Sequence, residues 1–234
     1  ALDVLSEKSD EGEETLYFNS GNSGGCRPKC LLHDEQGSWL VKFRHTYDPS
    51  DMGITEYRYN EIARQCEINV PDFKLLEGKY FATKRFDIEN GNRLHIATAG
   101  ALLNESIQLP KQDYKTLLHL TGYLTQDTHQ VDEMFKRMVF NILTDNKDDH
   151  AKNFSFICRE GTWSLAPAYD LTRCSKGYNG EHATSVNHHG NPSIEDMLVV
   201  GESIRIPRKK GLEIIRFIAS HCDELLVDNY HFQL

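Results

Sequence analysis

The hydrophobic period changes partway along the chain, and that change limits what it can fold into. Up to about residue 87 the apolar residues come in short strand-like runs. "TLYFNS" (15–20) has strand composition, and a glycine-rich stretch follows it. "KCLLHDEQGSWLVKF" (29–43) reads strand–turn–strand about "DEQG". "TEYRYNEIARQC" (55–66) interrupts with helical spacing, placing Tyr59, Ile62, Ala63 and Cys66 on one face. "VPDFKLLEGKYFATKRFD" (70–87) reads as a second hairpin turning at Glu77-Gly78. From about residue 110 the period becomes helical: residues 111–125 are amphipathic, 130–144 are apolar enough for a core helix, and 212–220 form a late helix. Between them, 153–166 read as a hairpin about Glu160-Gly161. The expectation is an α+β chain of two lobes, a β-rich one over 1–105 and a mainly helical one over 106–234.

Composition narrows the function. A net charge of -9 disfavours broad binding of nucleic acid, which needs a basic surface. The basic run "RIPRKK" (205–210) reads as a solvated helix start. Six scattered cysteines form no CxxC pair, so neither a zinc framework nor a disulfide framework is expected, and a reducing cytoplasm fits. No apolar run approaches the length of a membrane span. The acidic N-terminus lacks a signal-peptide core and reads as a chain that begins mid-fold.

The chemistry concentrates in "DNKDDHAKNFSF" (145–156) and "LAPAYDLT" (165–172). A core helix precedes Asp148 and Asn153, and a hairpin then brings Asp170 back to the same end. Phosphoryl transfer uses such a set: one carboxylate orients the attacking hydroxyl, while an Asn oxygen and a second carboxylate hold Mg²⁺. Three other readings stay open: an ordinary polar turn, a His150 that only braces the loop, and a zinc site of Asp148, His150 and Asp170. Upstream, Lys42 lies inside the apolar run "WLVKF", either snorkelling from an edge or reaching for an anion. Glu56, at the next helix start, could hold it or could serve the helix dipole. "SGNSGGCRPK" (20–29) offers glycines that let backbone N–H groups approach phosphate.

This ordered series resembles the HipA-type serine/threonine kinases, the toxins of HipA/HipB-like toxin–antitoxin systems. The resemblance covers almost the whole chain. It rests on "SGGCRPK", "WLVKF", "EYRYNEIARQCEINVP", "KRFD", "NILTDNKDDHAKNFSF", "LAPAYDLT" and "GEHATSVN". It implies a bilobal protein-kinase-like fold, related to that of phosphatidylinositol kinases, with ATP and Mg²⁺ as cofactors. Asp148 then corresponds to the catalytic aspartate, and Asn153 and Asp170 to the metal ligands. Lys42 corresponds to the lysine on the ATP phosphates, supported by Glu56. Gly24, Gly25, Cys26, Arg27, Pro28 and Lys29 correspond to the phosphate-binding loop. Lys84, Arg85 and Phe86 correspond to the segment that meets adenine, largely through backbone, and His150 and Tyr169 fall where the nucleotide is lined.

The resemblance further implies a protein substrate, which in the best-known case is an aminoacyl-tRNA synthetase, and a HipB-like DNA-binding antitoxin partner. It also implies autophosphorylation in the glycine-rich loop. Here the register points to Ser23, and after it Ser20. A phosphate there adds about -1.5 to -2 charge and repels the ATP phosphates. Family members carry a further subdomain N-terminal to this loop, so that part is expected to be truncated or to exist as a separate protein. Rival readings are a small-molecule or lipid kinase on the same core, or an inactive antitoxin-binding module. Neither direct nucleic-acid binding nor membrane association is expected.

Overall fold

The computed structural model describes residues 28–43, 49–105, 112–222, 224–227 and 230. The predicted strand at 15–20 and the glycine-rich loop through Arg27 lie outside them. The chain divides into two compact units, Ala1–Tyr57 with Pro71–Arg85, and Arg58–Val70 with Phe86–Leu234. Neither unit is one continuous block of sequence.

In the first unit, β1 (Lys29–Asp34), β2 (Gly37–Lys42), β3 (Phe73–Leu76) and β4 (Tyr80–Lys84) form an antiparallel sheet in the order β1-β2-β4-β3. Both hairpins expected from the sequence are present. The second turns at Glu77 and Gly78, whose φ angles of 50° and 69° match the twist of the flanking strands. Strand alternation sorts the faces. Trp39, Val41, Phe43 and Ala82 pack with Cys30 in a small core. Lys42 and Phe81 belong to the opposite set. The first turns of helix α1 (Met52–Gln65) meet that set, with Tyr57 edge-on to Phe73 at 5.2 Å.

The second unit holds the larger core. The remaining turns of α1 contribute Tyr59, Ile62, Ala63 and Cys66, all buried, as their spacing predicts. Two very short strands, β5 (Ile88–Glu89) and β6 (Asn92–Arg93), precede β7 (His95–Thr98) and a single helical turn, α2 (Ala99–Leu102). Then come α3 (Tyr114–Thr125) and α4 (Thr128–Leu143), begun by the side-chain caps Asp113 and Asp127. In α4, Met134, Phe135, Met138, Val139, Phe140, Ile142 and Leu143 are buried, which makes it the core helix expected. Strands β8 (Ser155–Arg159) and β9 (Thr162–Leu165) pair with β7 in the order β7-β8-β9. Helices α5 (Ile194–Ser203) and α6 (Arg208–His221) complete the unit. The sequence reading missed α5 and β5–β7. For α5 a signal was available: Ser193 and Asp196 form a capping box at its start. No helix among the described residues is long and apolar enough to cross a membrane.

Candidate active site

The site forms where α4 runs out. Thr144 caps the helix, and its carbonyl accepts from the Tyr59 hydroxyl at 2.6 Å. Asp145 takes a left-handed φ of 59° and turns the chain. Asn146 then bridges to Cys174, and Lys147 bonds Asp145 Oδ1 at 3.2 Å and the Gly180 carbonyl at 3.0 Å. On this tethered loop, neighbouring carboxylates have opposite fates. The Asp148 side chain is 59% exposed, whereas that of Asp149 is 0% exposed.

Asp149 anchors the loop. Its carboxylate accepts from Tyr114 OH at 2.8 Å and from Thr184 N–H at 3.2 Å, and it faces His182 Nδ1 at 3.0 Å. Its carbonyl accepts from the Thr184 hydroxyl at 2.5 Å. Burial, and after it the adjacent Asp149 charge, push the Tyr114 phenol well above its ordinary range, so it stays a donor. This network fixes the backbone one residue from Asp148.

A one-turn helix (Ala151–Asn153) follows, and Asn153 Nδ2 donates to the Asp148 carbonyl at 2.7 Å. That bond commits the amide nitrogen, so the Oδ1 atom is the part of the side chain that could hold a cation. His150 Nε2 stands 3.6 Å from Asp148 Oδ1. The β8–β9 hairpin then returns the chain to the same end, turning at Glu160 and Gly161 with φ of 50° and 82°. Tyr169 OH reaches back to the Lys152 carbonyl and Ser155 Oγ, both at 2.6 Å. Burial pushes its pKa up to about 12. Asp170 adopts φ 55°, a left-handed conformation that costs energy for a non-glycine residue and is found at functional sites.

Asp148, Asn153, Tyr169 and Asp170 therefore line one small recess, with Arg137 and Asn146 beside them. Among the described residues, the buried side-chain polar atoms without a hydrogen-bond partner are Arg137 Nη2, Asn146 Oδ1 and His150 Nδ1. All three belong to this loop or its floor. Asp148, Asp170 and the Asn153 amide offer hard oxygen atoms, which suit Mg²⁺. No three His, Cys, Asp or Glu side chains converge on a metal position among the described residues, so the zinc reading of Asp148, His150 and Asp170 loses its geometric basis.

In the first unit, Lys42 and Glu56 form a buried ion pair. Strand β2 lies inside the sheet, between β1 and β4, so Lys42 does not snorkel from an edge. Lys84 pairs with Asp72 at 3.4 Å. The N–H groups of Lys84 and Arg85 are taken by the Asp72 and Ser38 carbonyls at 2.8 Å each. Two of the backbone N–H groups of the segment 84–86 are therefore engaged within the first unit. In the second unit the Phe86 ring lies 5.7 Å from that of Tyr169. The Pro28 carbonyl accepts from Phe43 N–H beside Lys29 at the start of β1. Ser20, Ser23, Gly24, Gly25, Cys26 and Arg27 lie outside the described residues. The sequence reading missed Arg137, Asn141, Asn146, Asp149 and Tyr114. Asn146 and Asp149 stand inside the motif it singled out, but no spacing rule tells an inward carboxylate from its outward neighbour.

The fold is shared with solved structures. A chain of the Shewanella oneidensis MR-1 toxin–antitoxin complex of HipA, HipB and operator DNA superposes with a TM-score of 0.72 at 17% identity. That match covers 87% of this chain and 57% of the other. The Helicobacter pylori proinflammatory kinase CtkA superposes at 0.53 with 15% identity, over 88% of this chain and 93% of that one. The mixed α+β fold is thus of the kinase-like class those two proteins define. The HipA-like C-terminal domain model matches residues 21–226, and the chain belongs to that family. A Sinorhizobium fredii (strain NBRC 101917 / NGR234) protein named "Putative kinase Y4dM" is 30% identical over 169 residues, 64% of this chain. The chain spans 41% of the length of that relative.

Proposed function

We propose that this chain is the catalytic core of a HipA-type serine/threonine protein kinase that uses ATP and Mg²⁺. The observation that carries the reading is the meeting of Asp148, Asn153, Tyr169 and Asp170 in one recess from segments separated by a hairpin. Asp148 is the exposed carboxylate of the set and orients the substrate hydroxyl. The hydroxyl oxygen bonds to the γ-phosphorus, the bond from that phosphorus to the β,γ-bridging oxygen breaks, and the hydroxyl proton passes to Asp148. Asn153 and Asp170 hold Mg²⁺, which when bound neutralises charge on the phosphate oxygens. Lys42, oriented by Glu56, meets the phosphates together with the loop from Gly24 to Lys29. The protein's share of catalysis is placement and fixed charge.

Ser23, or after it Ser20, is the autophosphorylation site by which the loop shuts off ATP binding. The substrate is a protein, and an aminoacyl-tRNA synthetase is the first candidate. A HipB-like antitoxin supplies any contact with operator DNA, since this chain carries a charge of -9. The reading places the protein in the cytoplasm.

The test is incubation of the purified protein and its Asp148→Asn variant with radiolabelled ATP, alone and in a bacterial lysate. Wild type is expected to label itself on residues 20–23 and to label a lysate protein, and Asp148→Asn to label neither. Equal label from both, with no thermal shift on adding Mg-ATP, overturns the reading.

A further inference from the structure

Two residues lining the recess carry a buried side-chain atom without a hydrogen-bond partner, Arg137 Nη2 and Asn146 Oδ1, and the assignment above uses neither. Asn146 is 3% exposed and lines the recess, and its Oδ1 is buried without a hydrogen-bond partner. The other half of the side chain is committed. Asn146 Nδ2 donates to Asn141 Oδ1 at 2.9 Å, Asn141 Nδ2 donates to Tyr114 OH at 3.0 Å, and Tyr114 donates to Asp149 Oδ2 at 2.8 Å.

Every donor in this chain points the same way, toward a buried carboxylate. A one-way chain ending on an anion polarises its members cooperatively, and electron density collects at the open end. That end is the Asn146 amide oxygen. A buried acceptor left without a donor is costly, so the recess must supply one. The recess has room for no more than about one water-sized sphere, beside Asp148, Asn153 and Asp170. Arg137 lines the same small space, and its guanidinium opposes a bare cation against Asn146. Mg²⁺ sheds its waters reluctantly and keeps several when protein-bound.

We propose that Asn146 Oδ1 accepts a hydrogen bond from a magnesium-bound water, and that the Asn141–Tyr114–Asp149 chain holds it in position to do so. Asn146 is thereby a positioning residue outside the metal's own ligands. The proposal rests on the kinase reading of the site.

The experiment measures Mn²⁺ binding to the full chain with a non-hydrolysable ATP analogue, reading free Mn²⁺ by electron paramagnetic resonance. Wild type, Asn146→Ala, Tyr114→Phe and Asp170→Asn are compared, each with a thermal melt. Loss of an outer-shell partner typically weakens a metal site by on the order of tenfold or more, and about tenfold is expected for Asn146→Ala. Tyr114→Phe interrupts the chain away from the recess and is expected to weaken binding by a smaller factor. Unchanged Mn²⁺ affinity in a cooperatively melting Asn146→Ala overturns the proposal and leaves that oxygen to a structural water. If Asn146→Ala does not melt cooperatively, Tyr114→Phe decides, and unchanged affinity there overturns it. Asp170→Asn separates the two levels of the argument. Wild type binding no Mn²⁺ with nucleotide sinks the kinase reading as well. Loss in Asp170→Asn alone sinks only the role of Asn146.

Discussion

Lys42 on β2 and Glu56 on α1 form an ion pair in which 10% of the lysine side chain and 2% of the glutamate side chain are exposed. Fourteen residues separate them, and the pair joins the inner sheet strand to the helix that covers it. Removing one partner of a buried pair strands a charge, which costs about 3–5 kcal/mol. Glu56→Gln is therefore expected to destabilise the protein by about 3 kcal/mol, read from urea unfolding. Lys42→Met combined with Glu56→Gln should cost less than the sum of the two single changes. An additive double mutant would show that the pair is not coupled.

Gly53 tests close packing in the same unit. In an exposed helix interior, Gly→Ala stabilises by about 1 kcal/mol. Here a Cβ on Gly53 would stand 2.1 Å from the Lys79 carbonyl oxygen and 3.1 Å from Phe81 N. Both obstacles are backbone, so Gly53→Ala should lower stability by about 1–3 kcal/mol. Gly122→Ala provides the contrast. Its Cβ meets only Val131 Cγ2, at 3.4 Å, and helix propensity should leave that variant as stable as wild type or slightly more. Thermal melts of the two variants check the difference in sign.

Asp196 makes one part of the stability acid-sensitive. Burial raises its pKa, but bonds from Asn187 and Ser193, with His189 beside it, outweigh that and hold it at about 2. A depressed carboxyl stabilises the fold above its unfolded pKa of about 3.9, and the contribution fades as pH falls toward about 2. The melting temperature of wild type should exceed that of Asp196→Asn near neutral pH, and the gap should close between about pH 4 and pH 2. A gap independent of pH would assign the effect to shape rather than charge.

Cys66 and Cys222 are fully buried, with their sulfurs 3.6 Å apart. The hydrogen bond with Cys66 and then burial push the Cys222 thiol far above its ordinary range. A thiol so held offers almost no thiolate at neutral pH. Native protein treated with iodoacetamide should carry label on the half-buried Cys158 and Cys174 before Cys66 or Cys222. Mass spectrometry of tryptic peptides reads the order, and denaturant should abolish it.

The chain itself determined much of the local structure, because short-range physics decides local structure. Hairpins turning at Glu77-Gly78 and Glu160-Gly161 are legible from Gly78 and Gly161, which take positive φ without steric cost. The core helix after Asp127 follows from its apolar spacing, and the family is legible in an ordered series of motifs around Asp148. The elements that escaped did so for different reasons. β5 and β6 have two residues each, too short for any period to show. α5 is announced by Ser193 and Asp196, yet it begins after a run of glycine, asparagine and histidine that reads as loop.

Only the tertiary structure decided which carboxylate of Asp148-Asp149 is exposed and which is buried. Tyr114, Thr184 and His182 draw Asp149 inward from segments about 35 residues away on either side. It also decided that α1 belongs to two units, parting at Tyr57 and Arg58. The open amide of Asn146 depends on the same long-range placement. Sequence spacing records what a residue can do with its neighbours in the chain. Burial and hydrogen bonding depend on partners that spacing does not name, and the polar floor of this site is built from those.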